Sequence, residues 1–154
     1  GRECGVKRAL FSVTALLAGC AGLGQKDMST DADRATFLAT LPAEDRETFE
    51  LYFWALEVDP EPIKDRFGNC LNDRIGRATG QEPAAIAEEA LDECFPIVDP
   101  LIRGTAMRVS ALATGVTAAD MRYWSEHQVR EQRAELLVDL TKRIENSRFG
   151  AGRD

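Results

Sequence analysis

Few side chains in this 154-residue chain have the types and spacing to do chemistry. His127 is its one histidine, with Glu126 beside it and Glu131 one helical turn on, so a His–Glu metal-binding edge can be drawn. One edge supplies two ligands at most. A carboxylate-bridged di-iron bundle needs Glu-x-x-His on facing helices, and a calcium loop needs Asp-x-Asp-x-Asp-Gly; the chain has neither pattern. The simpler reading is a solvated helix face with i,i+4 charge pairing, and no metal or cofactor is expected. A Ser-His-Asp arrangement would have to use the same His127, but there is no Gly-x-Ser-x-Gly elbow. Ser110, Ser125 and Ser147 all fall within or beside helix-patterned segments. Carboxylates cluster at Asp59, Glu61 and Asp65 and again at Glu88, Glu89, Asp92 and Glu93. Paired acids cleave glycosides when one is desolvated and the other is not, so an enzyme stands as the second functional reading. Against it, no sequence feature isolates one acid in an apolar setting.

The N-terminus carries a different signal. Lys7 and Arg8 precede the apolar run Ala9–Ala18, and Gly19 and Cys20 close it, which is the three-part layout of an export signal. Leu17-Ala18-Gly19-Cys20 resembles the lipobox of bacterial lipoproteins, in which small residues admit a peptidase to the bond before a cysteine whose sulfur carries a diacylglyceryl group. The resemblance implies a signal at 1–19, lipidation of Cys20 and attachment to a membrane through it. It implies nothing about the activity of the rest. Ala21-Gly22-Leu23-Gly24 opens a small, flexible tether over 20–28. Aspartate after the lipidated cysteine resembles an inner-membrane retention signal; Ala21 stands there, which favours the outer membrane, with the body facing the periplasm. The alternative is a short buried helix ending in Gly-Cys, but Ser12 and Thr14 are the only polar residues between Ala9 and Cys20. The chain opens on Gly1, and initiation at Val6 would put the basic pair directly before the apolar run and leave Cys4 out of the protein.

With Cys20 assigned to lipid by that resemblance and Cys4 set aside, Cys70 and Cys94 remain as an even pair in an exported, oxidising setting. They are expected to bond. Their separation is too long for a Cys-x-x-Cys zinc knuckle, and there is no Cys-x-x-Cys-His haem attachment. Gly80-Gln81-Glu82-Pro83 is the turn signal midway between them, so two antiparallel helices folding there would bring the sulfurs together. Closing such a loop is worth roughly 3 to 4 kcal/mol in the chain-entropy model. The alternative is two free buried thiols.

Strand signals are scarce and helical spacing runs throughout, so the elements that position these residues are helices. The fold expected over 29–148 is an all-α bundle of five or six helices containing the disulfide-linked hairpin. A short first helix covers Asp31–Thr40, anchored by Phe37 and Leu38. From Pro42, residues Phe49, Tyr52, Phe53 and Leu56 form one apolar stripe, which Asp59-Pro60-Glu61-Pro62 ends. Ile63, Phe67, Cys70, Leu71 and Ile75 lead to a stop at Gly80. Pro83 opens the return helix with Ile86, Ala90, Leu91 and Cys94. Pro96 and Pro100 predict a kink or break before Leu101, Val109 and Leu112 resume the stripe. Thr117 with Asp120 resembles a capping box and starts a long helix through Met121, Trp124, Leu136, Leu140 and Ile144 to about Asn146, with 149–154 frayed.

Leu51 and Trp54 fall off the Phe49–Leu56 stripe, so that helix is apolar around much of its circumference. Either it is the central helix, or it presents a face that binds a partner or apolar ligand. Composition supports a folded body: 44% hydrophobic and 29% charged residues, with no apolar run of the roughly 18 residues a membrane span needs. A net charge of −7 argues against nucleic acid, whose phosphates require a basic face. The expectation is a lipid-anchored envelope protein acting as a non-catalytic binding or accessory module for another envelope component. The alternative is an envelope enzyme using clustered carboxylates, or an apolar-ligand carrier using a bundle pocket.

Overall fold

Helical periodicity and well-placed caps produce five helices in the computed structural model, which describes Met28 and residues 30–150. The expected signal, Cys20, its tether apart from Met28, and the last four residues lie outside the described residues. The helices are α1 (Asp31–Ala39), α2 (Ala43–Glu57), α3 (Glu61–Arg77), α4 (Pro83–Ser110) and α5 (Ala118–Gly150). The described residues contain no strand. Thr30 caps α1 by accepting from the Asp33 amide at 3.2 Å. Gly80 takes a positive φ of 73° in the α3–α4 turn, a conformation that costs glycine nothing, and Pro83 opens α4. Thr117 and Asp120 form the reciprocal cap of α5: the Thr117 amide donates to Asp120 Oδ2 at 2.9 Å and the Asp120 amide to Thr117 Oγ1 at 3.1 Å. That helix continues to Gly150, beyond the stop expected near Asn146.

The central element is α4, which packs against α2, α3 and α5. Its buried face holds Ile86, Ala87, Ala90, Leu91, Cys94 and Phe95, closed over by Leu71 of α3 and by Val129, Leu140 and Ile144 of α5. A second cluster gathers Phe49 of α2, Met107 of α4 and Met121 of α5, with the α1 residues Phe37 and Leu38 against it. The break expected at Pro96 and Pro100 does not occur, because both prolines are exposed and so is Asp92. Each proline deletes one bond to the carbonyl four residues back. Those carbonyls, of Asp92 and Pro96, lie on the solvent side where water can satisfy them, while packing holds the opposite face helical.

Cys70 of α3 and Cys94 of α4 are bonded, with Cα atoms 5.8 Å apart. This fixes α3 antiparallel to α4 about the Gly80 turn. Arg148 Nη1 donating to the Gln81 carbonyl at 2.6 Å, Arg133 reaching Glu88 and Asp92, and Arg103 reaching Glu126 likewise fix α5 antiparallel to α4. Where α2 crosses α4 the backbones approach closely: a Cβ added to Gly104 would lie 2.4 Å from the Ala55 Cβ.

Candidate functional site

The side chains singled out for chemistry are dispersed and engaged in the fold. His127 Nε2 lies 3.1 Å from Glu131 Oε1, a half-exposed i,i+4 pair, and the described residues contain no group of three or more ligands that could hold a metal. The Ser110, Ser125 and Ser147 hydroxyls donate to the Met107, Arg122 and Ile144 carbonyls of their own helix at 3.0, 2.8 and 2.8 Å. Glu88 and Asp92 both accept from Arg133 Nη2, at 2.8 and 2.6 Å, and Glu93 pairs with Arg74. Asp59 Oδ1 accepts from the Glu61 amide at the start of α3, and Glu61 pairs with Lys64 at 2.9 Å. Glu88, Asp92 and Glu93 therefore tie α4 to its neighbours and Asp59 and Glu61 sit at the start of α3, while Asp65 and Glu89 are exposed.

Leu51 and Trp54 separate. Leu51 is half-buried and packs into the cluster around Phe49, whereas Trp54 is 38% exposed. The central-helix reading of α2 gives way: α4 takes that place, and α2 lies across its C-terminal half. Polar clasps hold it there. Arg122 Nη1 donates to Asp45 Oδ1 at 2.8 Å and to the buried Thr48 hydroxyl at 3.1 Å, and Arg108 Nη1 donates to the Ala55 carbonyl at 3.1 Å. Burial raises the Tyr52 phenol above its ordinary value, opposed by Arg108 and Arg34. Burial also disfavours charge on Arg103, but the hydrogen bonds it donates to Asp99 and Glu126, with their negative charges, outweigh it and raise its pKa.

The concave feature with the chemistry of a binding site is a groove of about 680 Å³ where α3, α4 and α5 meet. Its floor is one stripe of α4: Val98, Leu101, Ile102, Thr105, Ala106 and Val109, the i, i+3, i+4 spacing of a single helix face. One wall is the i,i+4 row Trp124, Gln128, Gln132 and Leu136 of α5. The first turns of α3 add Lys64 and Phe67, and Ala113 and Val116 of the α4–α5 connection close the far end. The lining is mostly carbon, with Lys64 its only charged residue. The groove runs out into an exposed apolar patch of Val109, Leu112, Tyr123 and Trp124, with relative exposures of 65, 71, 63 and 51%. The Tyr123 and Trp124 rings meet edge to face at 5.5 Å, and the His127 ring lies 6.0 Å from Trp124.

The sequence pattern singles out Trp54 of α2, either as part of a central helix or as a binding face, and names Trp124 only as one of the apolar residues carried by α5, whereas it is Trp124 that lines the groove. The signal that could have separated them lies in α5 itself. Met121, Ser125 and Val129 repeat at i,i+4 and are the buried row, so Trp124 and Gln128 fall one position aside on the rim. The chain matches no protein-family model, no curated protein and no solved structure.

Proposed function

We propose that this chain is a lipid-anchored protein of the bacterial envelope that acts by binding, and that it binds an apolar ligand in the groove between α3, α4 and α5. The groove is the observation that carries this reading. Its volume of about 680 Å³ falls in the range of ligand pockets, roughly 300 to 1,000 Å³, and apolar lining with a few polar groups is the usual composition of such sites. The part of this α4 stripe that remains open to solvent, greatest at Val109, gains from being covered, by about 25 cal/mol for each Å² of apolar surface removed. The anchor rests on the lipobox-like sequence ending at Cys20, and among the described residues no helix is long and apolar enough to cross a membrane.

Two experiments test the two halves. Cys20→Ser should release the protein from the membrane fraction; an unchanged membrane fraction would refute the anchor. A neutral environment-sensitive dye such as N-phenyl-1-naphthylamine should brighten on adding the protein and dim again for Ile102→Glu, provided circular dichroism shows that variant folded. The more exposed Val109→Glu serves if it is not. Dye fluorescence unchanged by the wild-type protein would refute the groove. A second occupant, an amphipathic helix of an envelope partner, is favoured by the apolar patch of Leu112, Tyr123 and Trp124 beside the groove, since such patches mark protein contacts. A synthetic amphipathic helix that displaced the dye would identify that mode.

A further inference from the structure

Four of the exposed large apolar side chains gather where α4 turns into α5: Val109, Leu112, Tyr123 and Trp124. The two helices are antiparallel, so this turn is one end of the bundle, and Trp124, the furthest in, lies about 9 Å along α5 from its start at Ala118. The turn itself is neutral. Residues 109–119 carry no charged side chain in a chain where 29% are charged, and Asp120, the first acid after them, is held by Thr117 as the cap of α5. Gly115 in the turn has a φ of 76°, and a Cβ added there would meet nothing within 4 Å among the described residues, so this part of the turn stands free. Tyrosine and tryptophan join an apolar ring to a polar edge, the chemistry enriched at membrane interfaces, where apolar helix faces sink roughly 5 to 10 Å. The patch has that depth. The expected anchor also lies within reach. Arg34 Nε donates to the Met28 carbonyl at 3.1 Å, just before α1, and α1, about 14 Å long, carries Phe37 and Leu38 into the same cluster as Ala111 and Val116 of the turn. Cys20 lies eight residues before Met28, a reach of up to about 28 Å. A lipid on Cys20 can therefore lie level with the patch.

We propose that this end of the bundle docks on the membrane that holds Cys20, with Val109, Leu112 and the Tyr123–Trp124 pair seated in the lipid interface. This rests on the lipid anchor. Anchoring makes docking an intramolecular step, so a small patch suffices. Arg122 is already held by Glu44 and Asp45, and Arg108 donates to the Ala55 carbonyl, so the contact relies on apolar burial and not on one lipid head group. Val109 and Trp124 also line the groove. Docking therefore turns the open end of the groove toward the bilayer and gives an apolar ligand a path from lipid that avoids water.

The test uses the processed, lipidated protein carrying Trp54→Phe, so that Trp124 is its only indole. It is mixed with phosphatidylcholine vesicles whose acyl chains are plain or brominated near the head-group end. The protein should float with both kinds of vesicle, and on the brominated ones the Trp124 emission, shifted to the blue, should be quenched. Leu112→Glu with Tyr123→Glu, two exposed positions that do not line the groove, should abolish the quenching and leave flotation and circular dichroism unchanged. Leu112→Glu alone, at the most exposed of the four, serves if the pair unfolds. A floating protein with unquenched Trp124 would overturn docking while the anchor stands; if its emission shifts instead on adding the synthetic amphipathic helix, the patch belongs to a protein partner. Quenching that survives these substitutions comes from lipid inside the groove and would equally overturn docking. A protein that fails to float refutes the anchor, and docking falls with it.

Discussion

Replacing Cys70 and Cys94 together with alanine should lower the unfolding temperature by roughly 10 to 14 °C without unfolding the protein at 25 °C. The bridge closes a loop across a sequence separation of 24, for which the chain-entropy model gives about 3.5 kcal/mol at 25 °C. In a helical domain of about 120 residues, each kcal/mol moves the midpoint by about 3 to 4 °C. The native side contributes less. Cys94 is fully buried in the α4 interface, so alanine forfeits sulfur contacts there, but Leu71 is buried across the same interface and Phe67 and Ile75 pack against it without the covalent link. The hairpin should therefore stay docked. Far-ultraviolet circular dichroism melts of the oxidised protein, the reduced protein and the double variant check this, and the last two should agree. A drop under about 3 °C would refute the loop-closure reasoning. Two free thiols titrated in the denatured, unreduced protein would refute the bond itself.

Gly104→Ala should destabilise by about 1 to 3 kcal/mol, because its Cβ meets that of Ala55 at 2.4 Å and both atoms sit on packed helices. Adding Ala55→Gly should recover part of that loss, and a double-mutant cycle in urea would measure the coupling. Trp54→Ala should cost under about 1 kcal/mol where Phe49→Ala costs about 3 to 5, since the first side chain is on the surface and the second is 4% exposed; equal losses would return α2 to the centre of the fold. The hydrogen bonds from Thr117 hold the Asp120 carboxyl below the ordinary aspartate value. Its cap is therefore intact above that value and is lost as pH falls through the lower folded-state value. The protection factors of the amides at the start of α5, which are corrected for the slower intrinsic exchange in acid, should fall on acidification, and Thr117→Ala should remove that pH dependence.

The parts of this protein set by local chemistry were legible in the residues. Thr117 and Asp120 cap whatever helix follows them, Gly80 and Pro83 turn the chain, and an apolar stripe at helical spacing forms a helix wherever it finds cover. The Cys70–Cys94 pair was readable for the same reason: a turn midway between two cysteines on antiparallel helices brings the sulfurs together. The prolines of α4 misled because their effect depends on the side of the helix they face. The lost bonds cost little toward water and much toward the core, and only packing decides which side is which. Trp54 and Trp124 look alike along the chain, yet their exposure and surroundings follow from the placement of α2 over α4 and the register of α5. Local pattern accounts for the helices, the Thr117–Asp120 cap and the covalent staple between Cys70 and Cys94. Tertiary structure alone decided that α4 is the centre and that a stripe of its surface stays uncovered, because covering is a relation between helices distant in the chain.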